Sequence, residues 1–192
     1  MNKHTYLISI LLSIMLLLQA CAAVVGTSVA VGASTAMDRR TTGTVIEDQA
    51  IEMKTAQAFR SDPEIGDQAH WNVTSYNTRV LLTGEVVNET LRHRMVEITK
   101  NIPKVTDVIN EITVAAPSSM MSRSSDTVIT TKVKSLLLAD KETKGLLVKV
   151  VTEKGVVYLM GLVSRQQAER ATEVTRQTGG VQKVVKLFEY MD

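Results

Sequence analysis

Most of this chain is written twice, and that repetition limits what it can fold into. Asp48-Gln49-Ala50-Ile51-Glu52-Met53-Lys54 aligns with Asp126-Thr127-Val128-Ile129-Thr130-Thr131-Lys132 at an offset of 78. Val80-Leu81-Leu82-Thr83-Gly84-Glu85-Val86 aligns with Val157-Tyr158-Leu159-Met160-Gly161-Leu162-Val163 at 77. Val105-Thr106-Asp107-Val108-Ile109-Asn110-Glu111-Ile112 aligns with Val181-Gln182-Lys183-Val184-Val185-Lys186-Leu187-Phe188 at 76. Offsets that slip by one residue at loops mark a duplicated domain with small insertions. Each copy has about 67 residues, near the lower limit for burying enough surface to fold alone.

Each copy predicts the same element order. A helix starts at Asp48 or Asp126, both good N-caps. In the second copy Ile129, Val133, Leu136 and Leu137 recur at helical spacing and form the inward face; Ile51, Thr55, Ala58 and Phe59 take those places in the first. A hairpin follows. It runs through residues 72–76 and 79–86 around Asn77-Thr78, and through 147–151 and 156–163 around Thr152-Glu153-Lys154-Gly155. Asn88 caps the next helix of the first copy, and Ser164-Arg165-Gln166-Gln167 is a capping box for its counterpart. A last strand, Asp107–Val114 or Lys183–Tyr190, closes each copy. The fold class is α+β, with two tandem α-β-β-α-β units, each placing two helices on a three-stranded mixed sheet. The order of strands is not given by the pattern.

The N-terminus reads as an export signal. Lys3 precedes the apolar stretch Tyr6 to Leu18, which ends in Leu18-Gln19-Ala20-Cys21. That ending resembles the bacterial lipobox, and the resemblance implies removal of residues 1–20 and acylation of Cys21, with palmitate among its acyl chains. A continuous membrane span is the alternative. It is disfavoured because residues 22–37 contain no Leu, Ile or Phe. Ala22, rather than Asp, follows the Cys, and by the same resemblance points to the outer membrane. Residues 21–47 are then the anchor and a flexible tether, spanning on the order of 28 Å as a coil. Residues 115–125, rich in Ser with Pro117, read as the linker between modules 48–114 and 126–192.

Chemistry is scarce. Cys21 is the only cysteine, so no disulfide forms within the chain. His70, expected in a loop before a strand, and His93, on an exposed helix face, read as solvated surface residues. No HExxH, GxSxG, GxGxxG or P-loop occurs, and no catalytic residue, metal ligand or cofactor is expected. Gly84 and Gly161 read as places of close helix packing. A net charge of +2 does not suit nucleic acid. It hides an asymmetry: residues 48–114 carry 7 Lys+Arg against 10 Asp+Glu, and residues 123–192 carry 12 against 8. The second module is therefore the one suited to an anionic surface. With the inward face of its first helix fixed, Val128, Thr131, Lys132, Ser135 and Leu138 point outward, flanked by Arg123 and Lys134.

The strand ends Gly84-Glu85-Val86 and Gly161-Leu162-Val163, and the run Gly180-Val181-Gln182-Lys183-Val184 before the last strand, resemble the BON domain. Lys104 replaces the glycine of that run in the first copy, so its turn is expected to differ. Lipobox, tether and two such modules together resemble the outer-membrane lipoproteins of this family. The resemblance implies a non-enzymatic protein on the periplasmic face of the outer membrane, held there by N-terminal acyl chains. It implies binding of anionic phospholipid (phosphatidylglycerol or cardiolipin) through the first helix of the second module, and a role in envelope integrity at division sites. Members of that group carry Trp where this chain has Val128. The alternative is an adaptor that docks envelope-assembly proteins, motivated by the opposite charges of the two modules.

Overall fold

Asp48 and Asp126 lie inside helices rather than at their starts. In the computed structural model, which describes residues 38–143 and 148–191, helix α1 spans Thr42–Ser61 and is capped by Thr41. Helix α4 spans Met120–Ala139 and is capped by Ser119. Both helices thus begin six residues before the expected N-caps. The short helix α2, Pro63–Gln68, was not foreseen. The remaining elements are β1 Ala69–Tyr76, β2 Arg79–Val86, α3 Glu89–Lys100 and β3 Asp107–Val114, then β4 Lys149–Glu153, β5 Val156–Val163, α5 Arg165–Arg176 and β6 Lys183–Tyr190.

The buried aspartates act on the hairpins. Asn77 and Thr78 N–H each donate to the Asp48 carboxylate at 2.8 Å, and Ser75 Oγ donates at 2.6 Å. Lys154 and Gly155 N–H donate to Asp126 at 2.9 and 2.8 Å. All four turn residues have positive φ: 53° and 66° in the first turn, 48° and 73° in the second. Two such residues in a row make the hairpin turn whose twist matches the strands. The left-handed region disfavours Thr most, because its branched Cβ crowds the carbonyl. Two charge-assisted hydrogen bonds per turn offset that strain. The second turn is tighter than expected, because Thr152 and Glu153 belong to β4.

Each sheet has its hairpin antiparallel, and its third strand joins the middle strand in parallel after a helical crossover, in orders β1-β2-β3 and β4-β5-β6. At the start of β3, Lys104 takes φ 74°, where Gly180 of the second copy has 101°; the turn is kept, not changed. Gly84 has φ 124°, and a Cβ there would sit 2.1 Å from the His70 carbonyl oxygen. Its role is close approach of the neighbouring strand, not of a helix.

The middle strand of each sheet is buried on both faces. One face of each sheet meets its helices: Ile51, Phe59, Val80, Leu82, Leu91 and Met95 in the first module, and Val133, Leu137, Val157, Leu159, Ala168 and Ala171 in the second. Leu136, expected inward, is exposed. The other faces of the two sheets pack on each other through Tyr76, Leu81, Tyr158 and Met160, with Ile109, Val151 and Leu187 around them. The layers run helix, sheet, sheet, helix, and the two modules share a third core. Replacing Asp126 with Ala leaves two turn N–H groups without their acceptor, one of them buried. We expect a loss of about 3 kcal/mol in chemical denaturation, against under about 0.5 kcal/mol for Lys132→Ala on the exposed side of the same helix.

Candidate functional site

Helix α4 carries the residues singled out above, and its observed start changes their company. Val128, Leu138, Thr131, Lys132 and Ser135 are all exposed, Val128 at 52% and Leu138 at 62%. Met120 and Met121, expected in the linker, form the first turn of the helix and are 74% and 83% exposed. Met121, Val128 and Ser135 follow at intervals of seven, on one line of the helix. Leu136 adds a further exposed apolar side chain at 47%. Serine content hid this extension. Ser119 is the N-cap, accepting from Ser122 N–H, and Ser124 Oγ returns a hydrogen bond to Met120 O.

Arg123 and Lys134 stand on the side of the helix where Thr131, itself part of the stripe, borders the first module. They line a cleft of about 530 Å³ between the modules, with Thr127, Thr130 and Thr131 of α4, Asn72 and Thr74 of β1, and Lys149 of β4. Thr130 Oγ1 donates to Thr152 Oγ1 at 2.7 Å, which ties the helix to the cleft floor.

At the end of the cleft the sheets meet through charged groups. Glu85, fully buried on β2, lies 2.8 Å from Lys154 Nζ and accepts from Ser118 N–H at 3.1 Å. Burial pushes its carboxyl up. The Lys154 and Ser118 hydrogen bonds outweigh that and leave it below the ordinary glutamate value. Glu153, buried on β4, accepts from Asn72 Nδ2 at 3.1 Å and faces His70 Nε2 at 3.6 Å. Here burial prevails, and the Glu153 carboxyl is raised despite His70 and Asn72. His70 is therefore not a solvated surface histidine; it stands within β1, with its side chain in the seam between modules. Its ring, Glu85 and Glu153 come within 4.8 Å of one another, the composition of a metal cluster. The Lys154 ammonium already supplies the cation there. His93 is exposed on α3, 4.0 Å from Glu89.

Other polar bridges cross the seam. Lys149 meets Glu52 at 3.3 Å, Asn77 donates to Glu189 at 3.0 Å, and Leu162 N–H donates to Tyr76 Oη at 3.3 Å. Tyr158 Oη donates to Glu111 at 3.3 Å, and burial, then Glu111, push its phenol above the ordinary range. The opposite charges of the modules are thus partly met between the modules themselves. Cys21 and the signal segment 1–20 lie outside the described residues. Among the described residues, no helix is long and apolar enough to cross a membrane.

The BON domain family matches residues 47–116 and 125–192, and the chain belongs to that family. It is 40% identical over 185 residues to the outer membrane lipoprotein DolP of Haemophilus influenzae, covering 96% of each chain. It is 36% identical over 155 residues to a 21 kDa hemolysin of Actinobacillus pleuropneumoniae, covering 81% of this chain and 80% of that one. To the osmotically-inducible protein Y of Escherichia coli it is 31% identical over 145 residues, covering 74% and 72%. The chain is an outer-membrane lipoprotein of the BON family, on the periplasmic face.

Lys154→Met strands the buried Glu85 charge, whereas the double variant with Glu85→Gln removes it. A loss of about 2 kcal/mol is expected for the single variant, most of it recovered in the double; a double-mutant cycle in urea measures the coupling.

Proposed function

We propose that this is a non-enzymatic lipoprotein whose second module rests on anionic phospholipid through helix α4. The observation that carries the reading is the outward stripe of that helix. Met121, Val128 and Leu138 present apolar surface to solvent, with Lys132 among them, on the net-positive half of the chain. A helix with its inner face locked in a core and apolar residues on the outer face suits the headgroup boundary of a bilayer. Twenty residues make it about 30 Å long, enough to lie along a surface over many headgroups. Flexible, polarizable methionine side chains suit such an irregular surface. They stand at the start of the helix, one turn and more before Val128, and take up part of the role that an aromatic at 128 would have.

Acyl chains on Cys21 would hold the module close to the membrane. Each basic residue close to an anionic surface adds about 1 kcal/mol, and salt screens it. Phosphatidylglycerol or cardiolipin fits this charge, and the family resemblance connects such binding to envelope integrity at division sites. The adaptor reading is weaker than the charges of the modules first suggest, because Glu52–Lys149 and Glu85–Lys154 use part of that complementarity internally.

Sedimentation of the non-lipidated protein with phosphatidylglycerol vesicles tests the proposal. Val128→Glu with Leu138→Glu is expected to reduce binding by tenfold or more, and Met121→Glu alone by about threefold. Wild-type binding should fall as salt rises from 0.05 to 0.5 M, on the order of tenfold. Equal sedimentation of wild type and the double variant would remove α4 as the lipid-facing element.

A further inference from the structure

We propose that His70 and Glu153 form a proton-operated latch between the two modules, tightening the sheet-to-sheet seam as the periplasm acidifies. The pair crosses the seam: His70 is on β1 of the first module and Glu153 on β4 of the second, 3.6 Å apart. It is an ion pair only while one proton sits on the imidazole. Its surroundings fix what that proton is worth. Asn72, also on β1, gives Glu153 one neutral hydrogen bond. From β2, Glu85 adds a second buried carboxylate, whose charge is met by Lys154. From α4, Asp126 adds a third, held by the N–H groups of the turn. Lys149, on the strand of Glu153 itself, is drawn to Glu52 of α1. Tyr158 of β5 adds a neutral phenol that donates to Glu111. His70 and Asn72 are thus the groups of the first module aimed at Glu153, and Arg123 and Lys134 of α4 line the same cleft. Glu153 is a buried carboxyl whose partners from the first module are one neutral amide and one imidazole.

Acidification puts a positive charge on the imidazole opposite Glu153. Histidine is the side chain that gains its charge between pH 5 and 8. Burial also raises the Glu153 carboxyl, so that it takes up a proton more readily than an exposed glutamate. A buried carboxyl with a raised folded value costs stability above that value, and the cost disappears as pH falls through it. Protonation of the pair therefore strengthens docking. Glu85, lowered by its partners, keeps its charge through this window, and its bridge to Lys154 persists. The latch lies at the end of the cleft lined by Arg123 and Lys134, so seam tightness also sets how far that cleft can open. None of this depends on lipid binding.

Leu162 N–H reports on the seam, because its acceptor is Tyr76 Oη of the other module. Its hydrogen-exchange protection, corrected for intrinsic rates, is to be measured at pH 7.5 and 5.5 on the full chain. In wild type it should rise about threefold or more on acidification. Glu153→Gln, which removes the charge, should show the same protection at both pH values. His70→Arg, which makes the cation permanent, should be protected at both. Circular dichroism of each variant establishes that it is folded. A flat wild-type response, or either variant keeping the wild-type slope, would overturn the latch.

Discussion

In each module one carboxylate inside the first helix reaches across to the backbone of a hairpin turn. Asp48 and Asp126 are each the seventh residue of a helix, and each accepts both N–H groups of a turn with two left-handed residues. Aspartate is a mediocre helix residue, and Thr and Lys are poor left-handed ones. Both choices make sense only together. The helix positions the charge, the turn supplies the donors, and the helix is held against the sheet at a definite height and rotation. In the first copy Arg40 closes the site at 2.7 Å from Asp48 while lying over the Tyr76 ring. The N-terminal approach of the chain is thereby tied to the residue that also enters the seam between modules.

The second constraint is that the middle strands face water on neither side. The runs Val80-Leu81-Leu82 and Val156-Val157-Tyr158-Leu159-Met160 alternate between helix-facing and seam-facing positions, and both sets are apolar. A module of this size has little core of its own, and the shared layer between sheets enlarges it. The polar groups at the rim of that layer are then taken out of water and must be matched one by one. That makes the rim sensitive to the protonation of a single pair while the apolar centre is not.

Much of this was legible in the sequence. The duplication, the element order, the limits of β3 and β6 and the capping box at Ser164 follow from local patterns that tertiary structure did not override. The helix starts were misread because Asp48 and Asp126 have the residue type of an N-cap and a different role. Ser-rich residues 122–125 were read as linker for the same reason: propensity is weak evidence where a cap such as Ser119 lies upstream. The seam has its own signal in the middle strands, where Val80-Leu81-Leu82 and Val156 to Met160 are apolar on both faces. His70 could not have been placed. Its meaning depends on Glu153, 83 residues later, and nothing local joins them.

The outward stripe of α4 is a consequence of the Asp126 clasp. Leu136 and Leu137 are adjacent, and hydrophobic periodicity alone allows either to face the core. Fixing Asp126 over the turn fixes the rotation of the helix. Residues 129, 133 and 137 then point into the core, and Leu136 joins Val128 and Leu138 in solvent. A helix free to roll by one position would bury Leu136 and weaken the stripe. The hydrogen bonds that strap the hairpin therefore also decide which side chains the second module presents to solvent, and they keep the flexible methionines at its tip attached to a rigid rod.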